Sequence, residues 1–324
     1  MDKSFNNNNL ETLLLLALPA SGKSEVRKYL AGLSEQECHR DFHLGPTIQL
    51  DDFPYVHMMR CIDEQLALLN QKRIFFNNSD KPFREPKDWG TLISLINEDY
   101  ADLIERKIVK SNSAASWLME RFDRSARKVG IPYRLATLDD KVRAVVAEKI
   151  ETEAAEMLRE RNILCHTDIS GKTVVIEFAR GGPHGSNMPL TEPFGYNYSL
   201  SKLSPAILKK ARILYVWVTP EESRRKNIER TNPNDPGSIL HHGVPMDVMM
   251  NDYGCDDIEW LEKTARRPGT VSVQASSTVF DIPIARFDNR VDKTSFVRNN
   301  PTQWKKDEIC ALHDGLKGAL QKLS

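Results

Sequence analysis

The hydrophobic residues of the chain form two kinds of pattern, short continuous runs and longer stretches with helical spacing. Short runs rich in leucine and β-branched residues are typical of buried strands in a parallel sheet. Five such runs predict strands at residues 12–18, 47–51, 173–178, 213–218 and 279–287. Because helical patterns separate them, right-handed crossovers would place helices on both faces of the sheet. The pattern therefore predicts a three-layer α/β/α fold with a mainly parallel, five-stranded sheet.

A large helical insertion separates the second predicted strand from the third. Between residues 55 and 170, apolar side chains recur at helical spacing in three places, around Leu92 to Ile104, Trp117 to Phe122, and Val142 to Leu158. Two interpretations remain open for these 115 or so residues. The insertion either covers a substrate or serves as a packing element, including a homodimer contact.

The same pattern divides the chain into four parts. Residues 1–11 are polar, which predicts a disordered tail. The first part of the core is then expected at residues 12–54, the insertion at 55–170, and the second part of the core at 171–324. Within the last part, Thr219, Pro220 and Glu222 have the order of a helix cap, a first helical residue and its reciprocal capping residue. A helix is expected from there to about Thr231, inside a mobile lid over residues 219–245. A further helix is expected over residues 303–323.

Composition and charge exclude several function classes. The 324 residues include 45 basic and 45 acidic side chains, so net charge gives no support for a general nucleic-acid or anionic-membrane surface. The longest apolar run, Leu13 to Leu18, is far shorter than the roughly 20 residues needed to cross a bilayer. The five cysteines are scattered without C-x-x-C spacing, which indicates reduced thiols in a cytoplasmic protein. Cys38, His39 and His43 have no second cluster to complete a zinc site, and none is predicted there.

The strongest chemical signal follows the first strand. The apolar run passes through a small-residue turn into a helical pattern, an order in which backbone N–H groups and a helix N-terminus form a nest for phosphate. Lys23 would place a charge between the terminal phosphates, and Ser24 would offer a hydroxyl to Mg²⁺. The signature G-x-x-x-x-G-K-[ST] is complete except for Ala17 in place of the first glycine. A turn that binds no ligand is the alternative interpretation. The expected nucleotide-binding residues are Pro19, Ala20, Ser21, Gly22, Lys23, Ser24 and Glu25.

With three later segments, LDDF, VVIEFARGG and TPEESRRKNIER, the chain resembles the P-loop kinases of small molecules. That group includes nucleoside and nucleotide kinases, uridine kinase, adenylylsulfate kinase and zeta-toxin-type phosphotransferases. The resemblance covers residues 12–53 and 173–289 and excludes the insertion. It implies a P-loop fold and the transfer of a phosphoryl group from ATP, with Mg²⁺, to a hydroxyl of a small molecule.

The resemblance also implies roles for individual residues. Asp51 matches the carboxylate that accepts the proton of the attacking hydroxyl, with Asp52 as the reserve candidate and a substrate contact. Glu177 matches an acidic residue near Mg²⁺, where Ser24 and Asp51 would join it. Arg180 resembles a substrate-gripping arginine. The lid arginines that would offset charge on the transferred group correspond to Arg224, Arg225 and Arg230, and Asn289 would lie near the adenine.

Several alternatives stay open at this point. The pairs Glu221 with Arg225 and Glu222 with Lys226 would make the lid helix an ordinary solvated surface, although Arg224 and Arg230 would lack local partners. The fold could bind ATP as a regulatory or toxin-like module without transferring phosphate. A polynucleotide 5′-hydroxyl kinase is a further alternative, against which the neutral charge argues, so a nucleic-acid partner is not expected. The absence of an N-K-x-D motif argues against a GTPase.

Overall fold

The computed structural model of the chain describes residues 9–230 and 243–323. One six-stranded sheet organises them. The strands are β1 (Thr12–Leu16), β2 (Thr47–Asp51), β3 (Thr173–Phe178), β4 (Ala211–Trp217), β5 (Thr270–Ala275) and β6 (Thr278–Asp288). Their order across the sheet is β2-β3-β1-β4-β6-β5.

The five predicted strands are confirmed, and they are parallel to one another. Strand β1 lies between β3 and β4, and β2 forms one edge. Strand β5, which was not predicted, pairs with β6 in antiparallel fashion at the other edge. Its buried residues Val271, Val273 and Ala275 alternate with more accessible ones, the pattern expected of a strand covered on one face. Since β1, β2 and β3 run in one direction, their carboxyl ends meet at a single edge of the sheet.

Twelve α-helices surround the sheet within the described residues. They are α1 (Lys23–Ala31), α2 (Glu35–Phe42), α3 (Phe53–Leu68), α4 (Asp88–Ile104), α5 (Ala114–Lys128), α6 (Asp140–His166), α7 (Gly195–Ser201), α8 (Pro205–Leu208), α9 (Pro220–Arg230), α10 (Met246–Asn251), α11 (Ile258–Lys263) and α12 (Lys306–Leu320). The helices predicted from the apolar spacing correspond to α1, α4, α5, α6 and α12, and the helix predicted from its capping residues corresponds to α9. Helix α2 was not predicted, although Ser34 and Glu37 form a capping box at its start.

The alternation of side chains along β1 creates two cores. Leu14 and Leu16 point to one face, where they pack with α4, α7 and α11. Leu13 and Leu15 point to the other face, toward α1 and α12. Burying each leucine contributes about 2 kcal/mol. The sheet therefore lies between two helical layers, in agreement with a three-layer α/β/α arrangement.

The insertion has a third core of its own. Helices α3, α5 and α6 bury aromatic and aliphatic side chains against one another, together with α4. The guanidinium of Arg121, only 2 % exposed, lies within this part of the molecule. It donates to the Tyr55 hydroxyl at 2.9 Å, to Asp99 at 2.9 Å and to Glu98 at 3.2 Å. A charged network thus stabilises a mainly apolar core.

The structure describes the expected tail and the expected lid only in part. Of the expected tail, residues 9–11 are described, and Leu10 is buried and donates its N–H to the His43 carbonyl at 2.8 Å. Residues 1–8 and residues 231–242 of the expected lid lie outside the described residues. In the described ranges we find no helix with the length and apolarity that crossing a membrane requires.

Candidate functional site

A cavity of about 620 Å³ opens at the carboxyl edge of the sheet, between the core and the insertion. Its core wall is formed by the turn after β1 and the ends of β2 and β3. This wall consists of Pro19, Ala20, Ser21, Gly22, Lys23, Ser24, Glu25, Asp51, Asp52 and Glu177. Its insertion wall comes from α3 and the loop that follows, with the start of α4. That wall consists of Val56, His57, Arg60, Cys61, Glu64, Phe76, Ser79, Phe83 and Trp89.

The turn of the core wall has an unusual backbone. Gly22, the residue before α1, has φ of 104°, and Ala20 has φ of 56°. Such left-handed values are readily adopted by glycine and uncommon for other residues. At Gly22 a Cβ would also lie 2.5 Å from Thr294 Oγ1. Ala17 is not among the described residues with positive φ. Its departure from the glycine signature therefore introduces no backbone strain.

Three distant elements hold this turn through its carbonyl oxygens. The Tyr196 hydroxyl donates to the Ala17 carbonyl at 2.9 Å, the Ser223 hydroxyl to the Pro19 carbonyl at 2.7 Å, and Asn289 Nδ2 to the Ser21 carbonyl at 2.8 Å. Bonds to carbonyl oxygens leave backbone N–H groups available to a ligand. Asn289 was expected near an adenine, and the structure instead places its side chain in support of this turn.

Lys23 lies at the start of α1 with only 8 % of its surface exposed. Its Nζ donates to the Ala17 carbonyl at 3.2 Å, so the side chain folds back over the turn. Glu25 is oriented differently, because its carboxylate accepts from Arg298 Nε at 2.6 Å. Of Glu25, only the main chain is therefore suited to contact an anion at this turn.

Two carboxylates at the strand ends face each other across the sheet. Asp51 and Glu177 are register partners on β2 and β3. Arg27 Nη1 lies between them, 3.2 Å from Asp51 and 2.6 Å from Glu177. Arg27 was not predicted as a site residue. It follows Lys23 by four positions on α1, and residues four apart occupy one helix face, which is the signal that points to it.

Burial shifts the pKa of two neighbouring carboxyl groups at the end of β2, Asp51 and Asp52, upward. Burial raises the pKa of Asp51 to about 7, and the negative charges of Glu177 and Asp52 add to that effect. Burial also raises the pKa of Asp52, against the opposing influence of Arg180 and Lys23. A carboxylate with a pKa near neutrality is suited to accept a proton as a general base.

Arg180 does not lie at the cavity surface, contrary to its expected role as a substrate contact. The side chain is buried, with its guanidinium carbon 4.8 Å from the Trp89 ring centre and 5.0 Å from that of Phe178. Its Nη1 donates to Asp52 at 2.7 Å and its Nε to Ser199 at 2.9 Å. Because both contacts lie inside the protein, Arg180 positions Asp52, and Asp52 itself lines the cavity.

The lid arginines also differ from expectation. Arg225 is half exposed and pairs with Glu222 at 2.6 Å and with Glu229 on the helix surface. Arg224 pairs with Glu221 at 3.0 Å, so it has a local partner after all. Neither lines the cavity, and the side chain of Arg230 lies outside the described residues. The described part of α9 supports the core wall through Ser223 instead.

The insertion wall carries an aromatic cluster that was not predicted. The Phe76 and Phe83 rings stack with centres 4.5 Å apart, and Phe83 meets Trp89 edge to face at 4.9 Å. Tyr253 lies 5.6 Å beyond Trp89, and the Arg60 guanidinium lies 4.0 Å from the Phe76 ring centre. The feature of the sequence that could have pointed to this cluster is the number of aromatic residues in an otherwise polar, proline-bearing loop. These rings make one side of the cavity apolar and planar.

The chain matches no family model, no curated protein and no solved structure. Its chemistry is therefore inferred from the cavity itself. The oxygen atoms of Ser24, Asp51 and Glu177 all belong to the core wall. Hydroxyl and carboxylate oxygens are the donors that Mg²⁺ prefers. The donor set thus fits a magnesium ion, and the turn beside it fits an anion.

Proposed function

We propose that the protein is an ATP-dependent, Mg²⁺-requiring phosphotransferase that acts on a hydroxyl of a small molecule. The observation that carries this proposal is the presence of Asp51 in the same cavity as the turn of residues 19–25. Phosphoryl transfer requires an anion cradle for the donor and a proton acceptor for the nucleophile within one enclosed space. The residues that would serve as cradle and acceptor line the same cavity, which supports the proposal.

On the donor side, the main-chain N–H groups of residues 20–25 and the N-terminus of α1 would bind the phosphates. Lys23 would leave the Ala17 carbonyl and place its ammonium between the terminal phosphates. Ser24 and Glu177 would hold Mg²⁺, which neutralises phosphate charge when bound. Arg27 would keep Glu177 and Asp51 at their mutual spacing.

On the acceptor side, Asp51 would accept the proton of the attacking hydroxyl. Phe53 N–H donates to Asp51 Oδ1 at 2.7 Å and fixes the orientation of the carboxylate. The aromatic cluster of Phe76, Phe83 and Trp89 would bind a planar or apolar part of the acceptor. A cavity of about 620 Å³ suits a small organic molecule. Its aromatic rings favour a small-molecule acceptor over the sugar-phosphate backbone of a nucleic acid.

A second candidate function is a nucleotide-binding module without transferase activity. Its support is the pairing of Arg27 with both Asp51 and Glu177, which lowers the availability of the two carboxylates. The ion pairs of Arg225 along the surface of α9 point in the same direction. Measured turnover separates the two candidates.

The experiment is a screen of the purified protein with ATP and Mg²⁺ against nucleosides, sugars and vitamins, with ADP release as the readout. An acceptor-dependent release of ADP is expected for at least one class. Release that is no faster with any acceptor than without, together with calorimetric binding of ATP, would support the binding module.

The variant Asp51→Asn tests the base. With a true acceptor we expect turnover to fall about 1,000-fold, since general base catalysis contributes roughly 10²- to 10⁴-fold, while ATP affinity changes much less. The matched control is Asp288→Asn, because Asp288 also ends a parallel strand but does not line the cavity. Equal turnover in wild type and Asp51→Asn rules out the base assignment.

A further inference from the structure

A second group of potential ligands lies in the insertion, and two of its three members, His57 and Cys61, line the cavity. His57 and Cys61 are both on α3, and Glu153 is on α6. Their side-chain donor atoms lie within 4.8 Å of one another. No zinc site was predicted, and these three residues were not singled out in the sequence, where up to 96 positions separate them. Only the packing of the two helices brings them together.

We propose that His57, Cys61 and Glu153 form a binding site for a borderline-soft divalent transition-metal ion, with Zn²⁺ as the natural candidate. The site is independent of the proposed phosphotransferase activity. An imidazole nitrogen, a thiolate sulfur and a carboxylate oxygen form a donor set that zinc accepts and that Mg²⁺ and Ca²⁺ do not prefer. Zinc binds cysteine as the thiolate, so binding would release the Cys61 proton to solvent, and the thiolate and the Glu153 carboxylate would then balance the charge of the ion.

The distances fit this assignment. Zinc bonds of about 2.0 Å to nitrogen and oxygen and about 2.3 Å to sulfur place tetrahedral ligands about 3.3 to 3.6 Å apart. Cys61 Sγ is 3.5 Å from His57 Nε2 and 4.0 Å from Glu153 Oε2, and Glu153 Oε2 is 2.7 Å from His57 Nε2. A displacement of the Glu153 carboxylate by less than about 1 Å would bring all three separations into the tetrahedral range.

The two helices hold these ligands in place. His57 and Cys61 are four residues apart, so they share one face of α3. Their neighbours Met58 and Ile62 are buried in the insertion core, as are Ile150 and Ala154 beside Glu153 on α6. The backbone positions of the ligands are therefore fixed by hydrophobic packing. Only rotation of the three side chains would then be needed to bring their donor atoms around the ion.

Three protein ligands leave one tetrahedral position open, which is the composition of a catalytic or exchangeable zinc site. His57 and Cys61 both line the cavity, and the His57 side chain is 51 % exposed. A bound ion would thus be accessible to water and to a molecule in the insertion side of the cavity. Such an ion would lie across the cavity from the proposed Mg²⁺ ligands on the core wall.

The test is a titration of Co²⁺ into the full-length, metal-free protein, without nucleotide and with a phosphine reductant. Cobalt replaces zinc with the same ligands, and its bond to a thiolate produces a charge-transfer absorption. We expect one equivalent to bind with that absorption, Zn²⁺ to displace it, and a thousandfold excess of Mg²⁺ to leave it unchanged. Failure to bind Co²⁺ or Zn²⁺ below about millimolar concentration would overturn the proposal.

Variants identify the ligands. Cys61→Ser should abolish the charge-transfer absorption, and His57→Gln and Glu153→Gln should each weaken Co²⁺ binding by at least about tenfold, since even indirect partners of a metal site cost 10- to 100-fold when removed. Two matched controls should bind as wild type does. Cys310→Ser removes an exposed thiol elsewhere, and Glu156→Gln removes an exposed carboxylate one turn along α6. Persistence of the absorption in Cys61→Ser would refute the site.

A measurement on the wild-type protein tests the site even if the variants fail to fold. Zn²⁺ should slow alkylation of Cys61, identified by peptide mass spectrometry, and leave the rate at Cys310 unchanged. Equal rates at Cys61 with and without Zn²⁺ would contradict the assignment. The variant Lys23→Ala should retain the Co²⁺ absorption, so failure of the phosphotransferase proposal and failure of the metal site give different results.

Discussion

The two walls of the cavity are built in different ways. The core wall owes its shape to backbone: a turn with positive φ at Ala20 and Gly22, strand ends at Asp51 and Glu177, and hydrogen bonds to carbonyl oxygens. The insertion wall owes its shape to side chains, namely the aromatic cluster of Phe76, Phe83 and Trp89. The helices on either side of that loop belong to the insertion core, in which the charge of Arg121 is buried. A wall built from backbone suits a group that is the same in every nucleotide, such as phosphate. A wall built from side chains can be matched to one particular acceptor.

The strongest test of this contrast is Lys23→Ala in the core wall. We expect ATP binding to fall below detection in calorimetry, or turnover to fall by about 1,000-fold, since a preorganised cation beside developing charge has effects of this order. The matched control is Lys28→Ala on the same helix, whose Nζ contacts the Arg298 carbonyl at 3.4 Å. Unchanged ATP affinity and activity in Lys23→Ala would contradict the role of the core wall.

In the insertion, Arg121→Met should lower the free energy of unfolding by about 4 kcal/mol. The substitution removes the buried guanidinium that pairs with both Asp99 and Glu98, and breaking a buried ion pair costs about 3–5 kcal/mol. Arg124→Met on the same helix removes another partner of Glu98, at 3.5 Å, but Arg124 is 54 % exposed. Its loss should cost less than about 1 kcal/mol. Denaturant unfolding of both variants measures the difference, and equal losses would show that burial is not the deciding factor.

Gly22→Ala should destabilise the core wall by about 3 kcal/mol. Positive φ strains an alanine by about 1–3 kcal/mol, and a Cβ 2.5 Å from Thr294 Oγ1 adds a steric cost of similar size. Gly130→Ala is the control, because Gly130 has φ of 83° with nothing within 4 Å of the added Cβ. It should cost about 1 kcal/mol, the strain alone. If both variants lose the same stability, the close approach of Thr294 has no effect.

The smallest expected effect concerns the acceptor. Phe83→Leu should raise the KM for a true acceptor about tenfold, because aromatic pairs contribute about 0.5–1.5 kcal/mol beyond their buried area, and should leave ATP affinity unchanged. Phe75→Leu is the control, since Phe75 packs against Phe122 inside the insertion and not against the cavity. A rise in KM that is equal in both variants would indicate a general loosening of the insertion.

The parts that could be predicted from the sequence are those in which neighbouring residues determine structure. The apolar runs identified the five parallel strands, and helical spacing identified α4 and α6. Gly22 and Lys23 stood out because they stand side by side in the signature of a phosphate-binding turn between a strand and a helix. Asp51 and Glu177 could be expected to lie close together, because parallel strands end at one edge.

The parts that could not be predicted depend on contacts between distant segments. The resemblance to nucleoside kinases suggested a substrate contact for Arg180, but whether an arginine faces a cavity or a buried aspartate such as Asp52 depends on tertiary packing. Arg224 and Arg225 were expected over the cavity, yet each pairs with a glutamate three residues earlier on α9 and neither lines the cavity. The aromatic cluster required the fold of a loop without regular periodicity.

One hydrogen bond joins the turn after β1 to helix α9. The Ser223 hydroxyl on α9 donates to the Pro19 carbonyl. Because α9 leads directly into the segment beyond Arg230, any rotation of this helix must either break that bond or carry the turn with it. If the turn binds an anion as proposed, its occupancy and the orientation of α9 would be thermodynamically coupled, so a ligand bound at the turn would be reported by a probe attached to α9.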